Sequence, residues 1–188
     1  MEEIRQFIAS ITPMNDDDWQ LFSSKLEMVN VKKKIVLLKA GEIENYLSFI
    51  TKGAARVHIP LEENDVTFGF LFENEFVSAY DSFLTRQPSE YQTETITDTT
   101  LWRISYQDLQ DVYQNTDSGN AIGRRMNENM YLLKSKRELS LLSKSAEERY
   151  LDLFTERPEL IKQIPLKHIA SYIGVTPQAL SRIRRRIY

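Results

Sequence analysis

The chain has 188 residues, of which 41% are hydrophobic and 27% charged, with a formal net charge of −3. That length suits one large domain or two small ones with a real core, and the composition is ordinary for a soluble globular protein. With no cysteine, disulfides, thiol redox sensing, iron–sulfur clusters and thiolate zinc sites are excluded, and no stretch approaches the roughly 20 apolar residues of a membrane span.

The N-terminus is acidic and lacks the apolar block of a signal peptide, so a cytoplasmic protein is expected. Ile4, Phe7, Ile8 and Ile11 keep a helical spacing that Pro13 ends, and Asp16–Asp18 open a second helix with Trp19, Phe22 and Leu26 along one face. From about Val29 the texture becomes β-rich, in short runs at Ile35–Leu38, Tyr46–Thr51, Ala54–Ile59, Val66–Phe72, Thr93–Ile96 and Leu101–Ile104. Turn signals at Gly41, Gly53, 62–65 and 97–98 separate them, which predicts an antiparallel barrel, roll or sandwich.

Helix returns with Ser105 as N-cap and Asp108 three residues on. A longer helix is predicted from about Asp117 to Leu142, with Ile122, Met126, Met130 and Leu133 on one side. That stripe is too broken for a clear heptad, so a dimer seam and packing on its own domain both stay open. Ser145 and Glu148 form a capping-box pattern ahead of Tyr150, Leu153 and Phe154, and Pro158 closes that segment. There is no internal repeat and no low-complexity linker.

The last 24 residues carry Lys167, Arg182, Arg184, Arg185 and Arg186 and no carboxylate. Residues 141–188 hold nine basic and five acidic side chains (+4), leaving 15 basic and 22 acidic (−7) in residues 1–140. An acidic body with a basic end suits a chain that presents one face to a polyanion. The basic end reads as Pro165–Ile173, a turn at Gly174-Val175, and a second helix from Thr176 to Ile187. Leu166, Ile169, Ala170 and Ile173 form the apolar side of the first helix, and Leu180, Ile183 and Ile187 that of the second. Gly174 tolerates positive φ, Thr176 is a good N-cap, and Pro177 at N1 loses no hydrogen bond.

This is a helix-turn-helix whose second helix fits a DNA major groove. Gln178, Ser181 and Arg182 face outward near its N-terminal half, where base edges are read, with Thr176 at the cap. Arg184, Arg185 and Arg186, with Lys167 on the first helix, suit phosphates. Taken alone, the arginine run would favour a solvated cationic terminus complementing the helix dipole; the turn Gly174, the Thr176 cap, Pro177 at N1 and the inward Leu180, Ile183 and Ile187 in register favour DNA binding instead.

The β-rich body, the long helix and the segment Ile169–Ile183 together resemble the Crp/Fnr family of transcription regulators. The likeness covers nearly the whole chain; it is strong at the helix-turn-helix and looser in the roll, where Gly41, Gly53 and 71–105 hold the register. It implies an α+β chain with a cupin-like, cyclic-nucleotide-binding-like antiparallel β-roll and flanking helices (1–116). A connecting and dimerisation helix (117–142) and an all-α helix-turn-helix domain (143–188) would follow. The implied partners are double-stranded DNA, a second copy of the chain and RNA polymerase. Gln178 and Arg182 stand where the family commonly has a base-reading Glu and Arg, and Pro177 replaces a frequent Arg, so a different operator is expected. The family often continues into a wing of strands, and this chain stops at Ile187-Tyr188, so no wing contact is expected.

In cyclic-nucleotide-responsive members, a Gly-Glu pair and an Arg-Ser pair hold ribose and phosphate. The corresponding positions here are Ser78-Ala79 and Ser89-Glu90. Ala79 has no acceptor for a ribose, and Glu90 sets a carboxylate near the phosphate, so the usual cyclic AMP mode is not expected. Other candidates for an anion pocket include Arg56, Arg86 and Arg103, against the plainer reading of a solvated surface arginine. No cofactor is expected: the cluster of the family's redox branch needs cysteines, and haem would have only His58 and His168 as axial ligands. The alternative function is a ligand-binding or protein-interaction module with a vestigial helix-turn-helix. Nothing in the chain has nucleophile–base spacing, and Asp16–Asp18 suit a helix start better than a metal, so no enzyme is expected.

Overall fold

In the computed structural model, which describes residues 1–187, eight strands form two four-stranded sheets. The strands are β1 (Glu27–Val31), β2 (Val36–Leu38), β3 (Tyr46–Lys52), β4 (Ala55–Ile59), β5 (Val66–Leu71), β6 (Phe76–Val77), β7 (Gln92–Thr95) and β8 (Thr99–Ser105). One sheet runs β1-β8-β3-β6 and the other β2-β7-β4-β5; the pairs β1·β8, β3·β8, β3·β6 and β2·β7 are antiparallel. The helices are α1 (Glu2–Ile11), α2 (Asp16–Ser24), α3 (Tyr80–Thr85), α4 (Tyr106–Asn115), α5 (Gly119–Ser143), α6 (Ala146–Glu156), α7 (Pro158–Gln163), α8 (Leu166–Tyr172) and α9 (Pro177–Ile187). The α+β class with a jelly-roll-like antiparallel body is therefore as expected. No helix among the described residues is long and apolar enough to cross a membrane.

The chain divides into two units, Met1–Val57 with Phe70–Met130, and His58–Gly69 with Tyr131–Tyr188. In the first, strand parity sorts the core. Leu47 and Phe49 of β3 and Ile104 of β8 join Ile4, Ile8 and Phe22 under the helices. The opposite parity, Ile50 and Leu101, packs with Ala55 and Val77 in a second cluster. Phe7, Phe49 and Phe76 lock α1 to this sheet with ring centroids 5.1–5.6 Å apart, in tilted and edge-on contacts.

Asp18 ties α2 to the start of α5 across about a hundred residues of sequence. Its carboxylate accepts from Ser118 N (2.9 Å), Ser118 Oγ (2.5 Å) and Asp117 N (3.3 Å), at the amide-rich end of the long helix. The Ser118 hydroxyl is the main reason its pKa lies below the ordinary aspartate value; partial desolvation opposes the shift.

Several elements differ from the sequence expectation. β1 and β6, α3 and α7 were not anticipated. The N-cap of α2 is Asn15, whose side chain accepts from Asp18 N, and Leu26 lies beyond the helix end. Pro158 does not only close α6; it is the first residue of α7, a position that needs no amide hydrogen. On α5, Ile122 is buried as expected but Leu133 is 70% exposed, so the predicted stripe ends before it. The expectation about a missing wing turns on Tyr188, which lies outside the described residues.

Two predictions follow the packing. Gly53 has φ +96°, and a Cβ there would meet Asp98 O at 2.6 Å and Thr99 Oγ1 at 2.7 Å. Gly53→Ala therefore combines backbone strain with a clash against main chain and should cost about 2–4 kcal/mol in urea unfolding. For Asp18, a folded pKa below the unfolded one means stability present above about pH 4 and lost as pH falls through the folded value. Asp18→Asn should thus be less stable than the parent at pH 7, and the gap should narrow in unfolding curves taken below about pH 4.

Candidate nucleic-acid interface

The candidate interface is built by α8, a turn and α9. Ile169 and Ala170 are fully buried, and Leu180 and Ile183 of α9 are 1% and 5% exposed, so the two helices close on one apolar seam. Leu166 departs from the expected apolar side: it is 42% exposed. Gly174 takes φ +78°. Gly174 N donates to Ser171 O (3.1 Å) and Val175 N to Ala170 O (2.9 Å), a Schellman turn that uses two of the last four carbonyls of α8. The other two are met from outside the motif. Arg137 Nη2 donates to Tyr172 O (2.9 Å), with its guanidinium 4.0 Å from the Tyr172 ring centroid, and Arg149 Nε donates to Ile173 O (2.8 Å). Across the turn, Thr176 Oγ1 accepts from Ala179 N (3.2 Å), the cap the sequence predicts, and Pro177 is the first helical residue.

With the seam fixed, the remaining α9 positions are decided by parity. Gln178, Ser181, Arg182, Arg185 and Arg186 are exposed together with Thr176 and, on α8, Lys167. Ser181 Oγ donates to Pro177 O (3.0 Å), and Arg186 pairs with Glu147 at 2.9 Å while staying 66% exposed. Arg184 is half-buried, with its Nε turned inward and no hydrogen-bond partner among the described residues. α9 contains no acidic residue and ends in three arginines. Such a surface offers a polar, outward N-terminal half and a cationic C-terminal half.

The roll positions named from sequence flank α3. Ser78 Oγ donates to Tyr46 O (3.0 Å); Ala79, fully buried, donates its amide to Glu44 Oε2 (3.2 Å). Ser89 is buried, with its hydroxyl on Tyr91 O (2.8 Å) and its carbonyl accepting from Gly41 N (2.7 Å), while Glu90 is exposed. Glu44 is the anchor of this segment. Its carboxylate also accepts from Tyr46 N (3.0 Å), and burial pushes its pKa up against these hydrogen bonds. The three candidate cations are engaged. Arg56 pairs with Glu94 (2.6 Å), Arg103 pairs with Glu27 (2.9 Å) and lies over Tyr46, and Arg86 donates to Glu44 O (2.6 Å) and Asn45 Oδ1 (2.6 Å). Tyr91 donates to Asp81, and burial with that bond raises the phenol above its ordinary pKa. Among the described residues there is no cluster of three or more metal-ligating His, Asp or Glu side chains.

Residues 28–116 match the family model of the cyclic nucleotide-binding domain. Solved structures similar to the chain include the c-di-GMP-responsive global regulator CLP of Xanthomonas campestris, at 17% identity and TM-score 0.70, with 92% of this chain and 91% of that one covered. FixK2 of Bradyrhizobium japonicum is similar at 15% identity and TM-score 0.70, covering 86% and 84%. A protein of Eubacterium rectale assigned to the Crp/Fnr regulators is similar at 20% identity and TM-score 0.66, covering 93% and 83%. No curated protein sequence matches significantly. Residues 28–116 thus match the cyclic nucleotide-binding domain, and over most of its length the chain shares the fold of solved Crp/Fnr-type regulator structures.

Sequence reasoning missed Arg137, Arg149 and Ser171: the bonds of Arg137 to Tyr172 O, Arg149 to Ile173 O and Ser171 to Asp65 O span 24 residues or more. The only local signal was negative: a helix end followed by Gly174 leaves two carbonyls to be satisfied by something. A Cβ on Gly174 would meet Leu141 Cδ2 at 3.6 Å and Arg149 Nη2 at 3.8 Å, ordinary contacts, so the cost of substitution is backbone strain alone. Gly174→Ala should lose about 1 kcal/mol and Gly174→Asn less, read from thermal unfolding of the full chain.

Proposed function

We propose that the chain is a homodimeric, sequence-specific DNA-binding transcription regulator of the Crp/Fnr type, acting in the cytoplasm and not catalysing a reaction. The observation that carries this reading is the division of α9. Leu180 and Ile183 are spent on the seam, and Gln178, Ser181 and Arg182 stand outward on a helix with no carboxylate. Gln178 suits adenine and Arg182 guanine, each worth roughly 1–3 kcal/mol of discrimination. Ser181 and the Thr176 cap add short polar contacts. Arg185 and Arg186, with Lys167 and the half-buried Arg184, supply phosphate contacts that carry affinity without choice.

A second copy is supported by α5. Leu132, Leu139 and Leu142 follow one another at i, i+7 and i+10, on one side of the helix, and are 63%, 61% and 79% exposed. Two such helices side by side would bury that row and set two reading helices about one duplex turn apart, so an inverted repeat is the expected operator. The roll (1–116) would be the sensory part, 117–142 the connection and 143–188 the reader. Cyclic AMP in the usual mode does not suit the roll. Glu44 already occupies the Ala79 amide, Glu90 adds an exposed carboxylate next to Ser89, and Arg56, Arg86 and Arg103 are committed elsewhere.

Selection of bound sequences from random duplexes at two salt concentrations tests this. An enriched inverted repeat is expected, unchanged by cyclic AMP. Arg182→Ala should abolish the preference at one base position of each half-site while leaving the dimer intact, and Arg185→Ala should lower the salt slope by about two, one per protomer. A wild-type signal that is purely salt-driven and blind to sequence would rule the reading out.

A further inference from the structure

In the first unit, the helices that cover the sheet leave space between them. A cavity of about 30 Å³ is walled by Ile4 and Ile8 of α1, Leu47 of β3, Trp102 of β8, Val112 of α4 and Ile122 of α5 among other apolar side chains. It lies on the helix-covered face of the sheet, opposite to Ile50 and Leu101, which pack with Ala55 of the second sheet. One water needs roughly 10–15 Å³ of such space and several polar partners; the room is there and the partners are not, so this is space for hydrocarbon. At the same pair of helices, Phe7, Ser10 and Ile11 of α1 and Arg125, Glu128 and Asn129 of α5 line an open groove of about 470 Å³. Ile8 of the cavity and Ile11 of the groove are one turn apart on α1, and Met126 of the cavity follows Arg125 of the groove on α5. Met126, like Met14 in the cavity wall, is only half-buried, and a thioether chain repacks readily.

We propose that this crevice between α1 and α5 binds an aliphatic monocarboxylate, its carboxylate on Arg125 in the groove and its chain end in the cavity beside Ile8 and Met126. Arg125 is exposed and donates to Ile11 O; among the described residues it forms no ion pair, so a guanidinium with further donors stands at the mouth. Glu128, the one carboxylate of the groove, is already paired with Arg124 at 2.7 Å. Ser10 and Asn129 are neutral, so the charge left for a ligand is positive. Each methylene moved from water into the crevice favours binding roughly fourfold, whereas at so exposed an arginine the carboxylate contributes orientation more than affinity. The site is separate from the roll interior and from α9, and it stands whether or not the chain reads DNA.

The test uses the full chain carrying Trp19→Phe, so that Trp102 of the cavity wall is the only tryptophan left. The probe is ω-bromodecanoate, whose bromine quenches indole fluorescence, added below its micellar concentration. Saturable quenching is expected, reversed by decanoate and not by decyltrimethylammonium. Arg125→Gln should weaken binding roughly three- to fivefold. Val112→Ile, which fills the cavity, should weaken it about tenfold, and Val112→Ala, which enlarges it, should tighten it about threefold. Both core variants are read only if they unfold cooperatively like the parent; Arg125→Gln, on the surface, keeps the test decisive if they do not. Absent quenching, or quenching that the cationic amphiphile also reverses and that Arg125→Gln leaves unchanged, would overturn the proposal. So would parental affinity in both cooperatively folded Val112 variants.

Discussion

Helix C-termini concentrate partial negative charge, and the second unit brings two of them, those of α5 and α8, to the guanidinium of Arg149. Without a donor there, Ile173 O would be one of four terminal carbonyls with no partner, at a place where Ile173 itself is only 2% exposed. An unmet buried carbonyl costs about 1–3 kcal/mol, comparable to the margin on which a small domain stands. The turn, and hence the direction in which α9 leaves it, therefore depends on a side chain contributed by α6. The helix-turn-helix is not a self-sufficient module in this chain.

A related economy governs the roll. Its polar groups around α3 are matched internally: Glu44 with the Ala79 and Tyr46 amides, Ser82 with Glu44 N and Gln87 O, and Arg86 with Glu44 O and Asn45. Arg86 takes φ +57°, an uncommon conformation for a side-chain-bearing residue, to end α3 and reach those acceptors. Burial raises the Glu44 pKa against the hydrogen bonds that its carboxylate accepts. The jelly-roll architecture is thus held around α3 by polar groups that satisfy one another.

Much of this was legible in the sequence because it is local. The caps at Ser105 and Ser145, the turn at Gly174 and the inward Leu180 and Ile183 each follow from residues within one or two turns, and each is found in place. What was not legible is short or non-local. β1 has mostly exposed side chains and sits at a sheet edge, so no alternation marks it. β6 has two residues and α3 and α7 six each, too few for a period to register. Pro158 is compatible with both a helix end and a helix start, and only packing decides. The pairing of Ser171 with Asp65 and Thr67 spans more than a hundred residues, beyond the reach of any spacing argument.

The arginine run at the end of α9 shows how structure sharpens a sequence ambiguity. A cationic last turn complements the helix dipole, a gain of at most about 1 kcal/mol at an exposed end, and one or two charges suffice for it. Three are present, and their surroundings differ. Arg184 is half-buried and Arg186 is paired with Glu147, whereas Arg185 is exposed. The Glu147 pair is itself exposed enough to be exchanged for a phosphate at little cost. Dipole complementarity therefore accounts for part of the run. The remainder, with Lys167 on α8, forms the cationic edge of a helix whose proposed base-reading residues, Gln178, Ser181 and Arg182, lie nearer its N-terminus, and under that proposal the order separates affinity from choice along a single helix.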